Sequence, residues 1–143
     1  MRIWKREPTL ELLNESSKKT LAEAIKIQFS EIGDDFLKAT MPVDWWTKQP
    51  AGLLHGGASV ALAETMGSVA SFLCAETPAH RCVGLEVNAN HLKSMTGGFV
   101  TGTVRPLRVG RTTHVWEIRI TDEKGELVCI SRLTVAVLPP KTS

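Results

Sequence analysis

One stretch of the chain gathers side chains able to act together on a carbonyl group: Gln49-Pro50-Ala51-Gly52-Leu53-Leu54-His55-Gly56-Gly57, continuing through Ala58–Ala63 to Glu64-Thr65-Met66-Gly67-Ser68. Glu64 interrupts an otherwise apolar run. A carboxylate in such surroundings is destabilised when charged and unpartnered, so its pKa is expected to rise. That makes it a candidate nucleophile or general base; a Glu that snorkels outward or caps a neighbouring element is the plain alternative. Ser68, four residues on, shares the helix face of Glu64 and could hold a water beside it, although a small residue in a crowded helix would serve packing equally well. Gly56-Gly57 mark a helix start whose free N–H groups and positive dipole end suit an anion or a developing oxyanion. His55 and Gln49 add polar groups just before that start.

Gly56 and Glu64 lie roughly 12 Å apart along a helix. They cannot both touch one carbonyl within a single chain. If both act, a second copy must bring its Glu64 to the first copy's Gly56, as a symmetric dimer with two equivalent sites would do. Other chemistries fit poorly. There is no G-x-S-x-G elbow and no Gly-Lys-Ser/Thr ending to make a phosphate loop. His55, His80, His91 and His114 are scattered, and Cys74, Cys82 and Cys129 have no metal-ligand spacing, so no metal is expected.

The elements that must position these groups follow from hydrophobic period and punctuation. Thr9–Asn14 reads as a short helix capped by Thr9, and Thr20-Leu21-Ala22-Glu23 has capping-box spacing. Residues 25–32 and 36–43 read as two strands around Gly33-Asp34-Asp35, with Pro42 ending the second. A polar loop carrying Trp45, Trp46 and Gln49 leads to the one long helix, from Gly52 to about Ala75. That helix has no polar face, so it must be enclosed on most sides. Three strands follow: 81–92, 99–107 after the Thr96-Gly97-Gly98 turn, and 111–121, where Trp116, Ile118 and Ile120 alternate with polar neighbours. The Asp122–Gly125 turn joins them to a last strand, 126–138. Strand, strand, long helix, then three or more strands is an α+β pattern, with one helix against a curved antiparallel sheet.

The totals agree. A chain of 143 residues suits one domain spanning 1–143, and its 43% apolar and 22% charged residues are ordinary for a globular protein. A net charge of +2 does not call for a nucleic-acid partner or an anionic membrane. Residues 53–75 are long enough to span a bilayer, but they carry His55, Glu64 and several Gly and Ser, which favours a buried soluble helix. No secretion signal core opens the chain, and three cysteines, one of which any disulfide scheme leaves unpaired, suggest a reducing compartment, hence the cytoplasm.

The His55-Gly56-Gly57-Ala58…Leu62-Ala63-Glu64 segment, with Gln49-Pro50 before it, resembles the bacterial hotdog-fold acyl-coenzyme A thioesterases of the PaaI/4-hydroxybenzoyl-CoA branch. The similarity extends over nearly the whole chain. Ile3-Trp4-Lys5-Arg6, Ile32-Gly33-Asp34-Asp35, Ala39–Asp44, Val83–His91 and Ser131-Arg132-Leu133-Thr134 resemble the 1,4-dihydroxy-2-naphthoyl-CoA hydrolase group within it. The resemblance implies that Glu64 attacks the thioester carbonyl or activates water for that attack. It further implies that the Gly56 N–H polarises the carbonyl with help from Gln49, that His55 orients the thioester, and that Ser68 positions the water. His91 and Lys93 match positions near the acyl or coenzyme A end, with Lys93 standing where Arg is expected. Arg108, Arg111 and Arg132 become candidates for the nucleotide phosphates. Trp45-Trp46 replaces a stretch that is usually polar.

The expected protein is thus a cytoplasmic hotdog thioesterase, a dimer or a tetramer built as a dimer of dimers. It would hydrolyse, without metal or organic cofactor, an aromatic acyl-CoA such as 1,4-dihydroxy-2-naphthoyl-CoA in menaquinone biosynthesis. The alternatives are a proofreading thioesterase for medium-chain or misloaded acyl-CoA and acyl-carrier thioesters, a non-catalytic acyl-CoA sensor, and a hotdog dehydratase.

Overall fold

Buried residues recur at every second position of residues 113–121, and that alternation seats one face of a strand on the core. The computed structural model, which describes residues 1–142, places this strand in the middle of a six-stranded sheet. In chain order the elements are helices α1 (Leu10–Ser16) and α2 (Leu21–Ala24), strands β1 (Gln28–Ile32) and β2 (Leu37–Pro42), and a single 3-10 turn (Trp45–Thr47). Helix α3 (Gly56–Cys74) follows, then strands β3 (Arg81–His91), β4 (Phe99–Val109), β5 (Thr113–Thr121) and β6 (Leu127–Leu138). The sheet order is β1-β2-β4-β5-β6-β3 and every neighbouring pair is antiparallel.

Helix α3 packs across strands β2 to β6. Its Leu62, Met66, Ala70 and Leu73 meet Val100, Val104, Trp116, Ile118, Leu133 and Val135 from the sheet in one core. Close approach depends on missing side chains: a methyl group on Gly67 would come within 2.5 Å of Leu133 Cδ2, and one on Gly102 within 2.5 Å of Met66 Sδ. A buried hydrogen bond, 2.7 Å from Trp116 Nε1–H to Ser71 Oγ, ties helix to sheet. The N-terminal segment closes the far end, where Lys5 N–H donates to the Leu73 carbonyl at 2.9 Å and Trp4 Nε1–H to the Gly33 carbonyl at 2.7 Å. This is the α+β arrangement expected from the sequence.

Several boundaries differ. The long helix starts at Gly56 rather than Gly52, because Gly52 takes φ +81° in a turn and Lys48 bridges Leu54. Strand β1 starts at Gln28 rather than Ile25, since Ile25 closes α2 and Lys26 has φ +60°. Thr9 caps α1 by accepting from Leu12 N–H, as its position suggests. Thr20 does not cap α2 through its side chain; its hydroxyl donates to the Ser17 carbonyl instead, while Glu23 accepts from Lys19 N–H. Cys74 and Cys129 are buried, and burial pushes the Cys74 thiol up to about 12.

Enclosure of α3 is the larger correction. Gly57, Ala61, Glu64, Ser68 and Phe72 recur at three- and four-residue steps and form a stripe that the chain leaves partly or fully uncovered. By length and composition α3 could cross a membrane, yet half of that window is buried against the sheet. Beside the open stripe runs β3, an edge strand with Val83 46% and Leu85 63% exposed. Edge strands of this length and apolarity are rarely left bare in native proteins.

Candidate active site

The turn that feeds α3 is fixed by its own backbone. Gln49 N–H donates to the Leu53 carbonyl at 2.8 Å, Gly52 N–H to the Gln49 carbonyl at 2.9 Å, and His55 N–H to the Thr47 carbonyl at 2.8 Å. Gln49 Oε1 accepts from Ala51 N–H. That contact leaves the carboxamide NH2 as its free donor. His55 is the N-cap of α3, with its Nδ1 accepting from Gly57 N–H at 2.7 Å. An accepting Nδ1 requires the neutral ring to carry its proton on Nε2, so His55 presents a donor outward. The Ala58 N–H goes to the His55 carbonyl at 3.0 Å, whereas no hydrogen bond from Gly56 N–H is found among the described residues.

A pocket of about 320 Å³ opens at this helix start, lined by Gln49, Gly56, Ser59, His91 and Lys93 among others. His91 lies directly over Gly56: a methyl group there would sit 2.8 Å from His91 Nε2. Glycine at the first helical position therefore serves close approach, as its sequence context suggests.

Glu64 lies about two turns along, half-buried, in no ion pair among the described residues. The sequence predicts an enclosed carboxylate, but within one chain Glu64 sits on the open stripe with Ser68 one turn beyond it. Its Oε2 rests on Gly84 of β3, 2.9 Å from where a β-carbon would be. Helix and strand thus run antiparallel, Gly56 over His91 and Glu64 over Gly84.

Gly84 and His91 are seven residues apart, and in an unbroken strand they would point to opposite faces. The register of β3 on β6 shifts between Gly84 and Glu86, so Leu85 is an extra, bulged residue. Gly84 then pairs with Val135 and His91 with Cys129, both of which face the core. The bulge brings both residues to the helix side.

The basic residues are divided. Lys93 reaches the pocket, but its ammonium lies 2.5 Å from Asp122 Oδ2 and also contacts Glu126. These hydrogen bonds raise the Lys93 pKa and, in return, lower that of Asp122. Lys93, which the resemblance places near the acyl or coenzyme A end, is therefore already paired with two carboxylates. Arg132 pairs across the sheet with Asn88 and Glu117, away from α3, and lines a separate shallow pocket. Arg108 lies just beyond a register shift near the end of β4. Arg111 borders a larger cavity of about 590 Å³ at the opposite end of α3, together with His80 and His114. That cavity contains none of Gln49, Gly56, Glu64, Ser68 or His91, so its size does not make it the reaction site. One chain brings Gln49, Gly56, His91 and Lys93 together. It leaves Glu64 about two turns and Ser68 about three turns away, and the three arginines elsewhere.

Ser59, buried to 1% exposure in the pocket wall, carries no signal of its own in the sequence; three residues beyond Gly56, it reads as another small packing residue. Gly84 escapes sequence reasoning because its role depends on a bulge that no local residue pattern marks.

Known proteins supply the remaining link. The chain matches the family model described as Thioesterase superfamily over residues 51–129. It is 56% identical over 136 residues to 1,4-dihydroxy-2-naphthoyl-CoA hydrolase of Escherichia coli, covering 95% of this chain and 99% of that one. It is 52% identical over 137 residues to the proofreading thioesterase EntH of Cronobacter turicensis, covering 95% and 98%. A crystal structure of a mutant thioesterase from Pseudomonas aeruginosa matches with a TM-score of 0.94 at 52% identity over 96% of this chain and 99% of that one. A thioesterase from Haemophilus influenzae matches with a TM-score of 0.92 at 47% identity over 95% and 94%. The chain belongs to the thioesterase superfamily, has its hotdog fold, and is a thioester hydrolase.

Proposed function

We propose that the enzyme hydrolyses an aromatic acyl-CoA thioester, with 1,4-dihydroxy-2-naphthoyl-CoA as the leading substrate, at a site shared by two copies of the chain. The observation that carries this reading is the separation of the two halves of the chemistry. The Gly56 amide, Gln49 and His91 meet in one pocket, while Glu64 stands roughly 12 Å along the helix on an uncovered stripe beside an apolar edge strand. A two-fold partner docked on that stripe would cover Val83, Leu85 and Phe72 and bring its Glu64 to the first chain's Gly56.

In this site the thioester carbonyl accepts from Gly56 N–H and the Gln49 amide, which stabilise the oxyanion as it forms. Glu64 removes a proton from a water held with Ser68, and the water oxygen bonds to the carbonyl carbon. Collapse of the tetrahedral intermediate breaks the C–S bond, and the proton on Glu64 passes to the departing thiolate. The products are the free acid and coenzyme A. Direct attack by Glu64, through an anhydride that water then opens, uses the same groups. His55 Nε2–H orients the thioester. His91 and Lys93 border the acyl or pantetheine end, and Arg108, Arg111 and Arg132 are candidates for the nucleotide phosphates only from a neighbouring subunit. The mechanism needs no metal or organic cofactor, and a place in cytoplasmic menaquinone biosynthesis follows from the leading substrate. The second reading, proofreading of misloaded acyl-CoA or acyl-carrier thioesters, is favoured by the 52% identity to a thioesterase of that name.

Thiol release from a panel of aromatic, medium-chain and carrier-bound thioesters tests the assignment. The leading reading expects kcat/KM for 1,4-dihydroxy-2-naphthoyl-CoA to exceed that of every straight-chain acyl-CoA at least tenfold. A carrier-bound thioester turned over faster would favour proofreading instead. Glu64→Gln should lower kcat about 10²- to 10⁴-fold, the usual worth of general-base assistance; near-parent turnover would remove Glu64 from the mechanism.

A further inference from the structure

Gly84 is the residue against which the tip of Glu64 comes to rest, with Oε2 2.9 Å and Cδ 3.5 Å from the site of an absent β-carbon. Its φ is not among the positive ones, so the backbone there would accept alanine without strain. Apart from Glu64, the nearest obstacle to a methyl group is Leu133 Cδ1 at 3.8 Å, ordinary van der Waals contact. A side chain at this position would therefore meet little but the carboxylate. The bulge at Leu85 is what turns Gly84 toward the helix while keeping His91 under Gly56. One irregularity in β3 thus places both the seat of the carboxylate and the floor of the carbonyl pocket.

We propose that Gly84 is a positioning residue for the reaction: by lacking a side chain it lets the Glu64 carboxylate settle on the β3 backbone at the height the attack requires. The inference rests on the catalytic reading of Glu64. A methyl group at residue 84 would force the carboxylate back by about half an ångström to restore ordinary contact. Misplacement by 1 Å in an active site typically loses about 10²-fold, so half that distance predicts about a tenfold loss.

Steady-state kinetics and thermal melts of five proteins test it: the parent, Gly84→Ala, Glu64→Asp, the double variant Gly84→Ala/Glu64→Asp, and Glu64→Gln. Gly84→Ala should lower kcat about tenfold, with KM within twofold and the melting temperature within about 2 °C of the parent. Asp is one methylene shorter and withdraws from the contact, so adding Gly84→Ala to Glu64→Asp should change kcat less than threefold. A purely structural glycine would show the same loss in both backgrounds, or a loss of stability. If Glu64→Gln is inactive while Gly84→Ala matches the parent, the positioning role is wrong and the catalytic reading stands. If Glu64→Gln is active, both fall. A Gly84→Ala protein that fails to fold also overturns the inference, because only the flexible tip of Glu64 stands in the way.

Discussion

Replacing Ser71 by alanine tests how α3 is seated on the sheet. Ser71 and Trp116 are both fully buried, and the indole N–H donates to the serine oxygen at 2.7 Å. Ser71→Ala removes the acceptor and leaves an indole N–H in the core without a partner, which costs about 1–3 kcal/mol. For a chain of this length each kcal/mol is worth about 3–4 °C in melting temperature, so about 2 kcal/mol predicts a fall of about 7 °C. Oligomers melt in a concentration-dependent way, so melts must be compared at one protein concentration. The specific control is Trp116→Phe, which removes the donor. In that background Ser71→Ala should cost less than about 0.5 kcal/mol, giving a coupling energy above about 1 kcal/mol in the double-mutant cycle. Calorimetry or circular dichroism would supply the melts. If Ser71→Ala melts within about 1 °C of the parent, or costs the same in both backgrounds, the hydrogen bond does not anchor the helix.

Ser68→Ala deletes a hydroxyl one turn beyond Glu64 with almost no change in volume, so kcat should fall about tenfold with KM nearly constant. Kinetics unchanged in both parameters would reduce Ser68 to packing. Burial lowers the His114 pKa from its ordinary 6.5, against a smaller opposing effect of the Gly110 carbonyl, so the fold favours the neutral ring. Its contribution to stability is complete above pH 6.5 and is lost as pH falls from there through the depressed value, since the unfolded chain takes up the proton first. Unfolding free energies from urea titrations between about pH 7 and pH 5 should therefore fall less steeply for His114→Gln than for the parent, by up to about 1.4 kcal/mol per pH unit; parallel profiles would contradict this.

Much of this enzyme is legible in its amino-acid order alone. The alternation of Trp116, Ile118 and Ile120 marks β5, the single long apolar run marks α3, and the His55–Ser68 spacing marks out candidate site residues. What cannot be read there depends on contacts between distant segments. Local apolarity puts the helix start four residues early, because the backbone pairing of Lys48 with Leu54 outweighs it. The pairing of Lys93 is hidden in the sequence because Asp122 and Glu126, its partners, come from a turn about 30 residues away. The composition of α3 implies enclosure, whereas in the single chain one stripe stays open. An apolar helix face says that something must cover it, and not whether that is the same chain or another.

Mixing two inactive variants tests the shared site most directly. Glu64→Gln lacks the carboxylate, and Gly56→Pro lacks the amide donor; the backbone of a first helical position after an extended His55 (φ −67°, ψ 129°) accepts proline, and the added ring presses only on the His91 ring, in the same half of the site. In a dimer holding one copy of each, one site pairs an intact Gly56 with an intact Glu64 and the other has neither. Random exchange of equal amounts makes half the dimers mixed, so thiol release should recover to about a quarter of the parent's rate per chain. Differently tagged chains co-purified after exchange would establish that mixed dimers have formed. Recovery to that level is the result predicted by a site built from two subunits; activity no greater than the sum of the separate variants, with mixed dimers demonstrated, would contradict it.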